Sequence, residues 1–535
     1  MPFPDYVPTV PVFLRELVAR HGERELIVKD DERLSFAEAE RRSGRLARAL
    51  LAEGVGKGAR VGILFPNGPE WVVAWLAATR IGAVAVPINT FYQARELGWT
   101  LRHADVDTLL TTAGFLSHDY VARLEAVLPE LAGTPEPRLL HAALPFLRRI
   151  AVWGGCDRPW ALDGAALAAG EAGVGEELLR AVEAEVHPSD EMVMLYSSGS
   201  TSDPKGALHT HAGVLKHSYN LTSLRDLGPD DRVWSPMPFF WVGGFVFAFL
   251  GNLQAGATTL CEEAFDPGRT LAFLERERAS VAVGWPHFGK ALAEHPDART
   301  RDLSALRAGN VPEILPEEIV PRDPRRRGNA LGMTETCGPH TWSDGPLPEK
   351  LAGSFGRAVP GVEHKIVDPE TGETLPPGTL GEICVRGYSL MQRLHKVPRE
   401  ETFDADGFYR TGDAGCFDAE GVLWFEARLG DMIKSGGANV SPSEVEAVLA
   451  DFPEIAAGHV LGIPDAERGE TVAAAIVLEP GARLDASDVQ KRVKSELSAY
   501  KVPRRVVFYE ADALPFTDSG KIDKRRLREQ LAARD

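Results

Sequence analysis

Between residues 34 and 112, short apolar segments and amphipathic ones take turns at intervals that few architectures can satisfy. Ser35 and Glu38 form a capping-box pattern, Leu46 and Leu50 follow at helical spacing, and Gly54 marks a stop. Residues 60–65 then read as a short buried strand, 69–80 as a helix and 83–87 as a strand. A helix over 93–103 and a strand over 108–112 complete the series. Apolar strands separated by helices predict parallel sheets covered on both faces. The stretch 133–189 is rich in Ala, Gly and Pro and reads as surface loops; alternation resumes at Glu191 and runs to about residue 285.

Beyond Ala352 the texture changes. Residues 362–367, 381–386 and 422–425 read as short strands between Gly, Pro and Asp turns, which predicts a small β-rich subdomain over about 352–430. Ser441 and Glu444, with Pro442 at the first helical position, predict a second capping box and a helix to about Ala450. The remainder reads β, β, α, β, loop, helix. The predicted organisation is therefore an α/β chain: an N-terminal domain of stacked βαβ-type sheets with its β-rich subdomain over 1–430, then an α+β domain over 431–535.

At 535 residues the chain holds about three or four domain-equivalents. Lys and Arg number 59 against 77 Asp and Glu, a formal charge of −18. A surface that acidic repels nucleic acid and anionic lipid on average, which argues against a dedicated binder of either. Five dispersed cysteines without a CxxC pair predict neither a disulfide framework nor a zinc ribbon. The opening MPFPDYVPTV lacks a basic stretch followed by an apolar one, so a secretory signal is not expected. The longest apolar run, 239–251, falls well short of the roughly 20 residues that span a bilayer. A reduced, cytoplasmic compartment and no transmembrane segment are expected.

Chemistry concentrates at residues 196–206, YSSGSTSDPKG, where an apolar strand runs into a loop of Ser, Thr and Gly that ends in Lys205. Backbone N–H groups and hydroxyls on such a loop wrap phosphate oxygens, and a lysine adds a point charge. Taken alone, the composition would favour a mobile surface linker. Four further stretches follow in order: Gly332-Met333-Thr334-Glu335, Tyr409-Arg410-Thr411-Gly412-Asp413, Arg428-Leu429-Gly430-Asp431, and Pro515 through Ser519-Gly520-Lys521. Together they resemble the adenylate-forming superfamily, which includes acyl-CoA synthetases, aryl-CoA ligases, peptide-synthetase adenylation domains and firefly-type luciferases.

That resemblance implies ATP-dependent activation of a carboxylic acid to an acyl-adenylate, followed by transfer to CoA, with Mg²⁺ as cofactor. It assigns the β- and γ-phosphates to Ser197, Ser198, Gly199, Ser200, Thr201 and Lys205, the α-phosphate to Thr334 and Mg²⁺ to Glu335. Gly309, Leu331, Gly332 and Met333 would line the nucleotide, with Leu331 replacing the aromatic residue that stacks on adenine in most relatives. Asp413 would accept both ribose hydroxyls, a match of two oxygens to two donors, and Arg428 would support the ribose and phosphate side. Asp431 falls on the hinge of a mobile C-terminal domain, and Gly436 and Gly437 would line a pantetheine tunnel. Lys521 would bridge the carboxylate and the α-phosphate, where developing negative charge rewards a placed cation. Ser202 stands where relatives carry Gly, and 308–312 matches the adenine-side strand end only loosely.

For the acid, Phe240, Trp241 and Gly244 match the acyl-pocket segment, and Gly332 stands where acetate-type relatives place a blocking Trp. No Asp is present in that segment to hold a substrate ammonium, so a medium, long, aromatic or alicyclic acid is expected. His209, His211 and His217 lack a set of metal-ligating partners and read as a helix start. A stand-alone adenylation enzyme loading a carrier protein, a luciferase-like oxygenase and a non-catalytic binding relative are the competing readings. A homodimer is also carried as an expectation.

Overall fold

The early alternation becomes parallel sheet. A computed structural model describes residues 3–170, 173–197, 204–429, 432–510, 513–515 and 522–533, without the side chains of residues 286, 427 and 428. Its residues group into two compact units. The first comprises Met1–Thr90, Thr100–Tyr196 and Gly206–Ala427; the second comprises Phe91–Trp99, Ser197–Lys205 and Arg428–Asp535.

The first unit contains an eight-stranded sheet whose central strands Glu191–Ser197, Val84–Pro87, Arg60–Leu64, Thr108–Thr112 and Arg149–Trp153 are mutually parallel. The helix Pro69–Arg80 is buried at every position but Glu70, opening on Gly68 with Pro at its first position. Trp71 and Trp75 on it meet Phe245 and Phe249 with ring centroids 5.3 and 5.9 Å apart, respectively. A six-stranded sheet runs Ala308–Gly309, Val281–Ala282, Arg232–Trp234, Thr258–Cys261, Glu25–Lys29 and Glu32–Ser35. Strands Val362–Val367, Gly381–Gly387, Tyr409–Phe417 and Leu423–Arg428 make a four-stranded sheet over a core shared with Leu221 and Leu331.

The loop-rich expectation for 133–189 is corrected. That stretch supplies the strands Arg149–Trp153 and Ala161–Asp163 to the large sheet, and the helices Gly164–Ala169 and Glu176–Ala184. The apolar runs that form its two strands are only three and four residues long, so the surrounding Gly and Pro dominate any window laid over them.

In the second unit, strand Gly469–Leu478 is central and apolar on both sides. Val472, Ala474 and Ile476 join one core with the helices Pro442–Ala450 and Ala486–Glu496, while Ala473, Ala475 and Val477 join another with Leu527 and Leu531. Two-residue alternation with both faces covered produces that pattern. The predicted capping box at Ser441 is also corrected. Ser441 is the N-cap residue, yet its side chain makes no cap bond and its Oγ lies 2.9 Å from Ser443 Oγ. Glu444 is engaged elsewhere: Lys501 Nζ donates to Glu444 Oε1 at 2.6 Å and to Glu96 Oε1 at 2.7 Å. Ser498 Oγ donates to Glu96 at 3.0 Å, and the Lys501 residue is 2 % exposed. Burial works against its charge, but Tyr500, Glu96 and Glu444 outweigh it and hold the ammonium well above the ordinary lysine range.

Candidate active site

The Gly-Met-Thr-Glu motif forms a hairpin. Strands Gly332–Met333 and Gly338–Pro339 pair antiparallel, and residues 334–337 turn between them. A Cβ at Gly332 would lie 2.6 Å from the main chain of Gly338 and Pro339, so the two strands approach too closely for a side chain. Cys337 closes the turn with φ +62°, a left-handed conformation rare for a residue with a side chain. Thr336 Oγ1 donates to Gly338 O at 2.7 Å and accepts from Met333 N–H at 3.2 Å.

From outside the hairpin, Met391 N–H donates to Glu335 O at 2.8 Å, and His209 Nε2 lies 2.9 Å from Thr334 O. A carbonyl only accepts, so Nε2 carries the hydrogen. Burial pushes this imidazole down to about 4, so it is neutral at pH 7. Thr334 is half-buried and Glu335 is 5 % exposed.

The ribose-side motif sits on a bulge. In the pairing of strands Gly381–Gly387 and Tyr409–Phe417, Glu382 faces Ala414 but Cys384 faces Arg410, so extra residues accumulate at 411–413. Gly412 has φ +72° there, its N–H donates to Glu382 Oε1 at 3.0 Å, and Thr411 Oγ1 donates to Ile383 O at 2.7 Å. The buried Asp413 is thereby turned out of the regular ladder. Leu331, just before the hairpin, is 7 % exposed and packs with Ile383 and Val385 of the neighbouring strand. Its side chain is committed to this core, which leaves little of it to meet an adenine. Gly309, at φ +135°, ends its strand where a Cβ would lie 1.9 Å from Ala282 O, and Asn310 Oδ1 beside it accepts from Gly284 N–H at 2.9 Å.

The acyl-pocket segment leads into a π-helix, Gly243–Leu250, an uncommon winding that recurs at functional sites. Gly244 is required by packing, since a Cβ there would lie 2.0 Å from Pro238 O. Trp241 pairs with Trp285 at 5.6 Å between ring centroids and an interplanar angle of 63°, and with Phe240 at 5.1 Å. Asn67 pins this segment: its Nδ2 donates to Met237 O and its Oδ1 accepts from Phe239 N–H, both at 2.8 Å. The hairpin stands next to the π-helix, where a Cβ on Gly338 would lie 3.9 Å from Val242. Thr334, Glu335, Gly332 and the acyl-pocket segment are thus neighbours in one unit.

Residues 198–203 of the phosphate loop, Asp431 and Lys521 lie outside the described residues, as does the side chain of Arg428. Ser197 ends the strand before the loop and Lys205 begins the strand after it. In the second unit, Gly436 and Gly437 have φ +56° and +85° and form the two-residue turn between strands Ile433–Ser435 and Ala438–Val440. Hairpin geometry therefore favours glycine at both positions, the second most strongly. His209 lies in strand Lys205–Thr210, not at a helix start; His211 opens the helix His211–Ser223, capped by Thr210, and His217 lies within it. The sequence reading missed His209, Asn67 and Trp285. A histidine in a strand otherwise buried along its middle, directly after the phosphate motif, was the available signal for the first.

A model of the AMP-binding enzyme family matches residues 14–395, and one of the AMP-binding enzyme C-terminal domain matches residues 444–521. The chain is 33% identical to the indoleacetate–CoA ligase of Aromatoleum aromaticum, over 97% of this chain and 98% of that one. It is 31% identical to the mitochondrial medium-chain acyl-CoA ligase ACSF2 of Rattus norvegicus, covering 95% and 84% respectively. Among solved structures, the amide bond synthetase McbA of Marinactinospora thermotolerans superposes with a TM-score of 0.80 at 27% identity, over 97% of this chain and 99% of that one. A phosphate-loop motif, a crowded Gly-Met-Thr-Glu hairpin, a bulged Thr-Gly-Asp strand and two family models together place this chain in the AMP-binding enzyme family, within the adenylate-forming superfamily of the acyl-CoA synthetases.

Proposed function

We propose that the protein activates an apolar carboxylic acid, aromatic or of medium chain length, with ATP and passes the acyl group to CoA. In the first step a carboxylate oxygen bonds to the α-phosphorus as the bond from that phosphorus to pyrophosphate breaks. In the second, the CoA sulfur bonds to the acyl carbon, AMP leaves with the bridging oxygen, and the thiol proton is released. The observation that carries this reading is the Thr334–Glu335 turn, tied down from His209, Met391 and Thr336 beside an aromatic segment. Two anions repel, so positioning and charge neutralisation are what a catalyst must supply.

Thr334 would donate its hydroxyl to the α-phosphate, and Asp413 would accept the ribose hydroxyls. Glu335 would hold Mg²⁺, an ion bound through one or two carboxylates plus phosphate oxygens and water that neutralises phosphate charge when present. The residue fits that mode: Glu335 is a carboxylate on the turn itself, 5 % exposed, with its carbonyl held by Met391. Trp241, Trp285 and Phe240 favour a flat or extended apolar acid. The likeness to ligases of indoleacetate and of medium-chain acids supports the same substrate range.

Pyrophosphate release over a panel of acids, with CoA, an amine or a phosphopantetheinyl carrier protein as acceptor, tests the reading. Acid-dependent release with stoichiometric CoA consumption is expected. Transfer to the carrier or amine with CoA untouched would replace the acceptor. For Lys521, whose role rests on its motif, Lys521→Ala is expected to lower ATP–pyrophosphate exchange about 10²–10³-fold and to spare thioester formation from supplied acyl-adenylate. Equal loss of both partial reactions would remove that assignment.

A further inference from the structure

His209 sits on the strand that leaves the phosphate motif, 1 % exposed, and its ring reaches 125 residues along the chain to the backbone of Thr334. Thr334 O already accepts Cys337 N–H at 3.1 Å, the bond that closes the turn. The imidazole supplies a second donor to the same oxygen, from the strand side. Met391 N–H holds the next carbonyl, that of Glu335. The two peptide oxygens of the Thr-Glu pair are therefore tied to two other stretches of the chain, and one of those ties is a side chain that mutation can remove without touching the turn itself.

Resting on the proposed adenylate-forming activity, we infer that His209 is a positioning residue for that step: its Nε2–H holds the Thr334 carbonyl and so fixes where the Thr334 hydroxyl and the Glu335 carboxylate stand. Freed of that bond, the turn would keep its internal hydrogen bonds but lose its anchor to the strand. Misplacing reacting groups by about 1 Å costs on the order of 10²-fold in rate. A neutral side chain that donates from the same place would serve as well, because the role asks for a hydrogen and not for a charge. Glutamine offers an N–H at nearly the reach of imidazole Nε2, whereas leucine fills similar space and offers none.

The experiment compares wild type, His209→Leu and His209→Gln in acid-dependent ATP–pyrophosphate exchange, with thermal unfolding of each. The expected result is a fall in kcat of about 10- to 100-fold for His209→Leu with KM for ATP within about threefold, folding retained, and His209→Gln restored to within about fivefold of wild type. A His209→Leu enzyme with unchanged kcat, or a His209→Gln enzyme as slow as His209→Leu, would overturn the role. If His209→Leu does not fold, the glutamine variant alone decides: wild-type kcat supports the inference, and a folded but slow glutamine enzyme refutes it. Wild-type protein with no exchange on any acid would instead overturn the activity reading.

Discussion

Two buried polar centres stabilise this molecule in opposite ways. Around the Thr334–Glu335 hairpin, the first unit buries mostly neutral groups beside the Glu335 carboxylate: a threonine hydroxyl, peptide carbonyls and the His209 imidazole, joined by hydrogen bonds. In the second unit, Lys501 is buried between the carboxylates of Glu96 and Glu444. Neutral hydrogen-bonded groups cost little to bury and can be adjusted one at a time. A buried cation between two carboxylates least tolerates loss of the cation itself, because that strands two like charges away from water. The difference suits their settings: the first surrounds groups that would meet substrate, and the second joins residues 91–99 to the 428–535 part of the same unit.

The largest effect is expected from Lys501→Met. Stranding two buried carboxylates should cost about 3–5 kcal/mol, read as a fall in the denaturant midpoint of the transition that exposes Tyr500. A change below about 1 kcal/mol would mean that water reaches the triad and that the contrast between the two centres is false.

Acid should separate the two centres next. Burial holds His209 and His364 down to about 4, and His211 and His217 down to about 3. The unfolded chain takes up these protons near pH 6.5 while the folded one does not, so stability is full above that pH and falls as the pH drops towards 4. Each such histidine contributes up to about 1.4 kcal/mol per pH unit in that window. Lys501, shifted upward, contributes below the ordinary lysine range and loses its contribution only as the solution becomes strongly alkaline. Urea unfolding at pH 5 and pH 8 checks this, and equal stability at both would remove the neutral-histidine account.

The smallest effect is expected at Asn67, where water can partly replace the lost bonds. Asn67→Ala should cost about 1 kcal/mol of stability and raise KM for the acid more than KM for ATP. A shift confined to ATP would detach Asn67 from the acyl-pocket segment.

Much of this was legible because local patterns were strong. The helix Pro69–Arg80 and the strands Thr108–Thr112 and Val362–Val367 fall where their spacing predicts. The illegible parts depend on partners distant in the chain. Nothing near Glu444 announces that Lys501, 57 residues on, will claim its carboxylate in place of a capping box. Gly436 and Gly437 also form a two-residue turn, and Leu331 also packs into a core, structural uses that their motifs do not announce. In each case the residue type was informative and the surroundings decided its use.

The crowding at Gly332 bears on how this enzyme could be retuned for shorter acids. A bulky plug grafted at that position would have to force apart two paired strands before it could shorten any cavity, and the Thr-Glu pair rides on those strands. Under the proposed acid specificity, substitutions at 240, 241 and 285, which leave that turn alone, are the ones to try first.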